Sequence, residues 1–260
     1  MRSTLLLAAL AGLTRAAEPT IVALGSSYAH GLGLSKAIGG YVQDSLSAHF
    51  DTQYNFTNLA QDGSMLNAIG DTQTPQIKST QPALIYLSSG GNDLYYVACL
   101  YNSASLSTCS NPISYEDWKT RFEKALDAVV RSISNPADVP IYIVDYLPAL
   151  GPATNCSSSN PACPLNASAV AEIEVIYNDV VTWTHSALDE WWQENAASNY
   201  NTILIPMREY GAGHEVGTSD PWVNGANGGV GAWHPTAAGA QAVAGYIVGD
   251  YIANYGSADC

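Results

Sequence analysis

Thr20-Ile21-Val22-Ala23-Leu24-Gly25-Ser26-Ser27-Tyr28-Ala29 is the stretch on which the fold turns. After Thr20 the chain is apolar without interruption until it stops at Gly25, the pattern of a short strand buried on both faces. Gly25 permits a sharp turn, and Ser27 is then presented where a helix begins. Three further runs repeat the strand pattern: Ala83-Leu84-Ile85-Tyr86-Leu87, Pro140-Ile141-Tyr142-Ile143-Val144 and Thr202-Ile203-Leu204-Ile205. A weaker one lies between Thr52 and Leu59. Helical patterns alternate with them. Ser114 and Asp117 make a capping-box start, Trp118, Phe122, Leu126, Val130 and Ile133 form one stripe, and Pro136 stops the run. A second helix is predicted from about Ala167 to Trp192, with Ile173, Ile176, Val180, Ala187 and Trp191 inward and the tryptophans as packing. A last one opens after His234-Pro235 and runs through Ala240, Val243 and Ile247. Strands alternating with helices, without repeats or a linker, predict a three-layer α/β/α sandwich on a mainly parallel sheet. Ligand sites in such sheets lie beyond the carboxyl ends of the strands.

Four features fall there. Ser27 follows the first strand, where a helix N-terminus supplies free N–H groups and positive potential. Gly63, in Asn58-Leu59-Ala60-Gln61-Asp62-Gly63-Ser64, follows the weak strand and allows close approach of the backbone to a ligand. Asn92, in Gly90-Gly91-Asn92-Asp93, follows the next strand and can aim an amide N–H above the sheet. His234, in Trp233-His234-Pro235, stands in the loop before the last helix, within reach of Ser27 as a general base. Taken singly, each has an ordinary structural explanation: a turn, a turn, an Asx-turn, a structural histidine. Their joint occurrence in this order is specific.

With these four blocks the chain resembles the SGNH (GDSL-type) hydrolase superfamily, and within it the secreted esterase and lipase branch with a Gly-Ser-Ser-[Tyr/Phe]-Ala opening. The resemblance covers nearly the whole chain from Leu24 to the final helix. It implies a flavodoxin-like sandwich of about five parallel strands and a carboxylic ester hydrolase that needs no cofactor. Ser27 would be the nucleophile, His234 its base, and the N–H groups of Ser27 and Gly63 with the Asn92 amide the oxyanion hole. Ser26 stands where many members carry aspartate. The family usually also has an aspartate three residues before the histidine, and here that position is Gly231. The expected substitute is the backbone carbonyl of Gly231, which would orient the ring, with Asp220 as an acid that could come from elsewhere. A protein that binds carbohydrate or lipid without turnover is the alternative suggested by the missing acid.

Composition narrows the partners. The net charge of −14, with four lysines in 260 residues, repels phosphate backbones and anionic membranes, so no nucleic-acid partner is expected. Arg2, the apolar run Leu5 to Leu13 and Thr14-Arg15-Ala16-Ala17 read as a secretory signal over residues 1–17, too short to span a bilayer, before a hydrolase domain at 18–260. No integral membrane segment is expected, and a secreted, extracellular monomer is. Five cysteines suit an oxidising compartment; Cys99–Cys109 and Cys156–Cys163 are the simplest pairs, leaving Cys260 over. Asn55, Asn155 and Asn166 head glycosylation sequons. No cysteine and histidine cluster has zinc spacing, so no metal site is expected. His30 could line the pocket or simply begin the helix, His214-Glu215 could shape the substrate entrance, and neither histidine is expected to be catalytic. The substrate is expected to be a lipid ester, a soluble short-chain ester or an acetylated polysaccharide, selected by the loop from Gly211 to Gly231 and the disulfide loops. The absence of a long apolar lid segment favours small or soluble esters.

Overall fold

The computed structural model describes residues 18–78, 81–102 and 109–256. Five strands, β1 (Thr20–Gly25), β2 (Asn55–Asn58), β3 (Leu84–Ser88), β4 (Ile141–Val144) and β5 (Thr202–Ile205), form one parallel sheet in the order β2-β1-β3-β4-β5. Each strand expected from the sequence is present. The expected signal at 1–17 and the odd Cys260 lie outside the described residues.

The sheet is covered on both faces, as its apolar strands require. In the register of β3 and β4, Tyr86 lies beside Tyr142. The Tyr86 hydroxyl accepts from the Gly39 N–H at 3.0 Å in α2 (Ile38–Phe50), and the Tyr142 hydroxyl donates to Asp250 at 2.9 Å in α7 (Ala237–Tyr255). These two helices pack together on that face. Alternation then turns Ile85, Leu87, Ile141 and Ile143 to the other face, which α4 (Tyr115–Arg131) and α5 (Ala167–Glu194) cover. The three long helices expected from the sequence begin as predicted. Ser114, Asn166 and Thr236 accept the N–H groups of Asp117, Ala169 and Gly239 at 3.2, 2.9 and 3.1 Å, satisfying donors that the first helical turn leaves open.

The helix expected after Ser27 is a single turn, α1 (Ser27–His30), closed by Gly31 in the left-handed conformation. Two short helices complete the set, α3 (Tyr96–Asn102) and α6 (Met207–Tyr210). Strand order reverses between β1 and β3, and the chain leaves these two strands at Ser26 and Ser89. A crevice opens at such a reversal, and it is where the serine and asparagine turns meet.

Candidate active site

Ser27 is fixed from behind by Gly25, two residues before it. Gly25 has φ +119°, and a Cβ there would overlap the Ser88 carbonyl oxygen of β3. Gln73, wholly buried, brackets the same residue: its side-chain carbonyl accepts the Gly25 N–H at 2.8 Å and its amide donates to the Gly25 carbonyl at 2.9 Å. The Ser64 hydroxyl donates to that carbonyl too, at 2.9 Å. The turn carrying the serine is therefore tied to the segment carrying Gly63.

The asparagine turn joins the same network. The Asn92 amide donates to the Ser64 carbonyl at 2.9 Å, which commits one of its hydrogens. Asp93, with a fully buried side chain, accepts from the Leu66 N–H and from Arg121, both at 3.0 Å. Burial raises its pKa, and these two donors pull it back. Asp93 thus acts as a brace between the two turns. Gly63 has φ +72° and open space where a Cβ would stand. Among the described residues the N–H groups of Ser27 and Gly63 meet no protein acceptor.

His234 comes to this place from the far end of the chain. Its Nε2 lies 2.8 Å from the Ser27 hydroxyl and its Nδ1 lies 2.7 Å from the Ala232 carbonyl. A carbonyl only accepts, so Nδ1 carries the proton and Nε2 turns a lone pair to the hydroxyl. Burial lowers the His234 pKa, opposed by the Ala232 carbonyl and the negative charge of Asp62. The imidazole is therefore neutral at pH 7.

The expected Gly231 carbonyl is corrected here. It accepts the backbone N–H of His234 at 3.1 Å, and the ring is held by Ala232 instead. The cause is local: Trp233 has φ +60°, a left-handed turn that brings the carbonyl two residues back to the ring. Asp220 does not substitute for the missing acid. It is exposed and lies 3.4 Å from Nδ1 of His214, whose ring stacks on Trp222 with centroids 3.8 Å apart. His30 pairs with Asp62 at 2.8 Å, both partly exposed.

Several contributors were not legible as motifs. Tyr28 donates to the Trp233 carbonyl at 2.9 Å and Tyr101 to the Ala232 carbonyl at 2.8 Å. The Asn224 side chain donates to the His234 carbonyl at 3.2 Å, and its backbone N–H donates to the same oxygen at 2.9 Å. Gln73 and Asp62 complete the group. Tyrosine, asparagine and glutamine carry no positional signal in a single sequence, because their role depends on a partner distant along the chain. The disulfides Cys99–Cys109 and Cys156–Cys163 are formed, with Cα separations of 5.8 and 4.7 Å. No helix among the described residues is long and apolar enough to cross a membrane. Ser27 keeps 5% of its surface exposed and His234 1%, so the pair is largely buried.

Fold and geometry together define a class: three-layer α/β proteins with a hydroxyl–imidazole pair at the carboxyl edge of a parallel sheet. The chain belongs to the GDSL-like lipase/acylhydrolase family, whose model matches residues 23–242. Membership places it among ester hydrolases. No curated protein matches the sequence. Similar solved structures include an extracellular lipase from Streptomyces rimosus, 18% identical, covering 89% of this chain and 98% of its own, with a TM-score of 0.62. Phospholipase A1 from Streptomyces albidoflavus is 18% identical over 90% and 99% of the two chains, with a TM-score of 0.59. An acetylxylan esterase from Geobacillus stearothermophilus is 11% identical over 89% and 93%, with a TM-score of 0.55. At these identities the likeness is one of fold.

Proposed function

We propose that the protein is a secreted carboxylic ester hydrolase acting through an acyl-enzyme on Ser27. The observation that carries this reading is the relay from Ala232 carbonyl to His234 to the Ser27 hydroxyl, at 2.7 and 2.8 Å, in the tautomer that can accept a proton. The Ser27 oxygen attacks the ester carbonyl while Nε2 takes its proton, and the oxyanion is held by the N–H groups of Ser27 and Gly63 and the free Asn92 amide hydrogen. The imidazolium returns the proton to the departing alcohol. Water repeats the sequence on the acyl-enzyme. A neutral carbonyl behind the imidazolium stabilises it less than a carboxylate does, and Asp62 supplies a more distant negative charge.

The lack of a long apolar lid segment in the sequence restricts the expected substrates to small or soluble esters rather than long chains. Acetyl groups on a polysaccharide and soluble short-chain esters fit that restriction better than bulky lipids. Two disulfides and the exposed sequon residues Asn55, Asn155 and Asn166 support an extracellular, glycosylated protein, with residues 1–17 as a secretory signal and 18–260 as the hydrolase. The test is hydrolysis of p-nitrophenyl esters of increasing chain length together with labelling by a fluorophosphonate. Ser27→Ala is expected to lower kcat by about 10⁴-fold or more and to abolish labelling. Full activity in that variant would overturn the reading. Binding of a carbohydrate or lipid ester without labelling of Ser27 would replace it with the non-catalytic alternative. Rates on acetate that exceed those on long-chain esters are the expected profile.

A further inference from the structure

We infer that Tyr101 is a positioning residue for His234, acting through the Ala232 carbonyl oxygen that both side chains share. This rests on the reading of Ser27 and His234 as the reacting pair. The Tyr101 hydroxyl donates to that oxygen at 2.8 Å while Nδ1 of His234 donates to it at 2.7 Å. A carbonyl oxygen offers two lone pairs, so this acceptor, in the ring-orienting role for which the family resemblance implies a carboxylate, is fully engaged. Tyr101 itself is half exposed, so water could have served its hydroxyl and burial did not demand the bond. Burial raises the pKa of this phenol, which keeps it a donor well into the alkaline range.

The surroundings show a clamp built on the histidine turn. Ala232 and Trp233 are buried, and Trp233 holds a left-handed conformation that a tryptophan adopts only under constraint. Tyr101 grips the carbonyl before that residue and Tyr28 grips its own carbonyl at 2.9 Å. The two hydroxyls arrive from separate elements, α3 and α1. The α3 helix is itself anchored by the Cys99–Cys109 disulfide and by the Tyr96 N–H on the Gly91 carbonyl at 2.9 Å, one residue from Asn92. The histidine turn is thereby referred to the same segment as the proposed oxyanion donor.

Two effects follow for the ring. The hydroxyl fixes where the carbonyl points, and hence the direction of Nε2 toward Ser27. It also competes for the oxygen's electron density, so the Nδ1–H bond stabilises imidazolium less than it would alone. Removing the hydroxyl therefore loosens the ring and raises its proton affinity. The other groups facing His234 are the Ser27 hydroxyl and the Tyr28 ring from α1, the latter 5.3 Å away, and the charge of Asp62 from the turn after β2. None of these changes when Tyr101 does.

The experiment compares wild type with Tyr101→Phe, which keeps the ring and deletes the donor. The His234 imidazole is titrated by NMR, and kcat and KM are measured against pH with p-nitrophenyl acetate. The expected result is a His234 pKa higher by about 0.3–0.5, a matching upward move of the acid limb, and a kcat lower by about 3–10-fold at a KM within about twofold. A merely structural hydroxyl would lower the melting temperature and leave the imidazole titration in place. An unchanged His234 pKa overturns the inference. The titration needs no turnover, so a wild type that cleaves no ester would end the acyl-enzyme reading while Tyr101 was still judged.

Discussion

At His234 two influences on proton affinity oppose each other. Burial disfavours the charged ring, whereas the Ala232 carbonyl and the Asp62 carboxylate favour it, and burial dominates. The acid limb of kcat/KM should therefore lie below the ordinary histidine value of about 6.5. Asp62→Asn removes a charge that holds the pKa up, so the limb should move lower still, by a few tenths of a pH unit; a move upward would show that Asp62 acts otherwise. Gly231 gives a second test. A Cβ built there points to the Leu32 carbonyl at 3.4 Å and to the Asn224 amide at 3.5 Å. A carboxylate in Gly231→Asp would meet those groups rather than Nδ1, whose proton already has its acceptor. No gain in kcat is expected, and a gain of about tenfold would mean that the turn rearranges to seat the acid. Ser27, Gly63, Asn92 and His234 could be singled out as candidates because they occur together and in order, each in a turn after a strand or before a helix. The choice between the Gly231 and Ala232 carbonyls was not, because it depends on the sign of φ at Trp233.

Among the elements, those legible in the sequence carry their own signals. The α4 helix has a cap and an apolar stripe, and the inner strands are short apolar runs. The α2 helix has the stripe, in Ile38, Val42, Leu46 and Phe50, but no side-chain cap. Gly39 and Gly40 stand in its first turn and weaken its intrinsic propensity. It forms because the Gly39 N–H meets the Tyr86 hydroxyl at 3.0 Å and the Phe56 ring fills the space a Cβ would take. These tertiary contacts, unlike the stripe, are invisible to periodicity. The π-helical turn at Ile69–Gln73, which delivers the Gln73 amide to Gly25, is of the same kind. The Cys156–Cys163 disulfide closes a short loop beside the N-terminus of α5. Replacing both cysteines by serine should lower stability by ~2.5 kcal/mol, chiefly by freeing the unfolded chain, and the melting temperature by about 5–10 °C. An unchanged melting temperature in calorimetry would show that the loop is held by its other contacts.

For the whole molecule, charge sets the dependence on pH. A net charge of −14 makes the folded state repel itself, and protonation of carboxylates relieves this. The buried Asp93 and Asp145 act in the same sense: burial is the main cause of their raised pKa values. The stability linked to their protonated form is fully present below the unfolded value near 3.9 and is lost as pH rises through the folded value. His234, with a lowered pKa, contributes with the opposite sign: its stability is present above about 6.5 and is lost as pH falls through its folded value. One histidine is outweighed by the acidic surface. The melting temperature should rise from pH 8 to pH 5.5 and rise with added salt at pH 8; a steady fall on acidification would refute this balance.

Ser27 and His234 stand 207 residues apart along the chain. At a synthesis rate of about 5–20 residues per second, the histidine leaves the ribosome some 10–40 s after the serine. On the proposed mechanism, a nascent or truncated chain lacking His234 would hold an inert Ser27 hydroxyl. If Ser27 and His234 are the reacting pair proposed above, a colorimetric ester assay reports whether these two distant turns have met, and can serve as a readout of refolding.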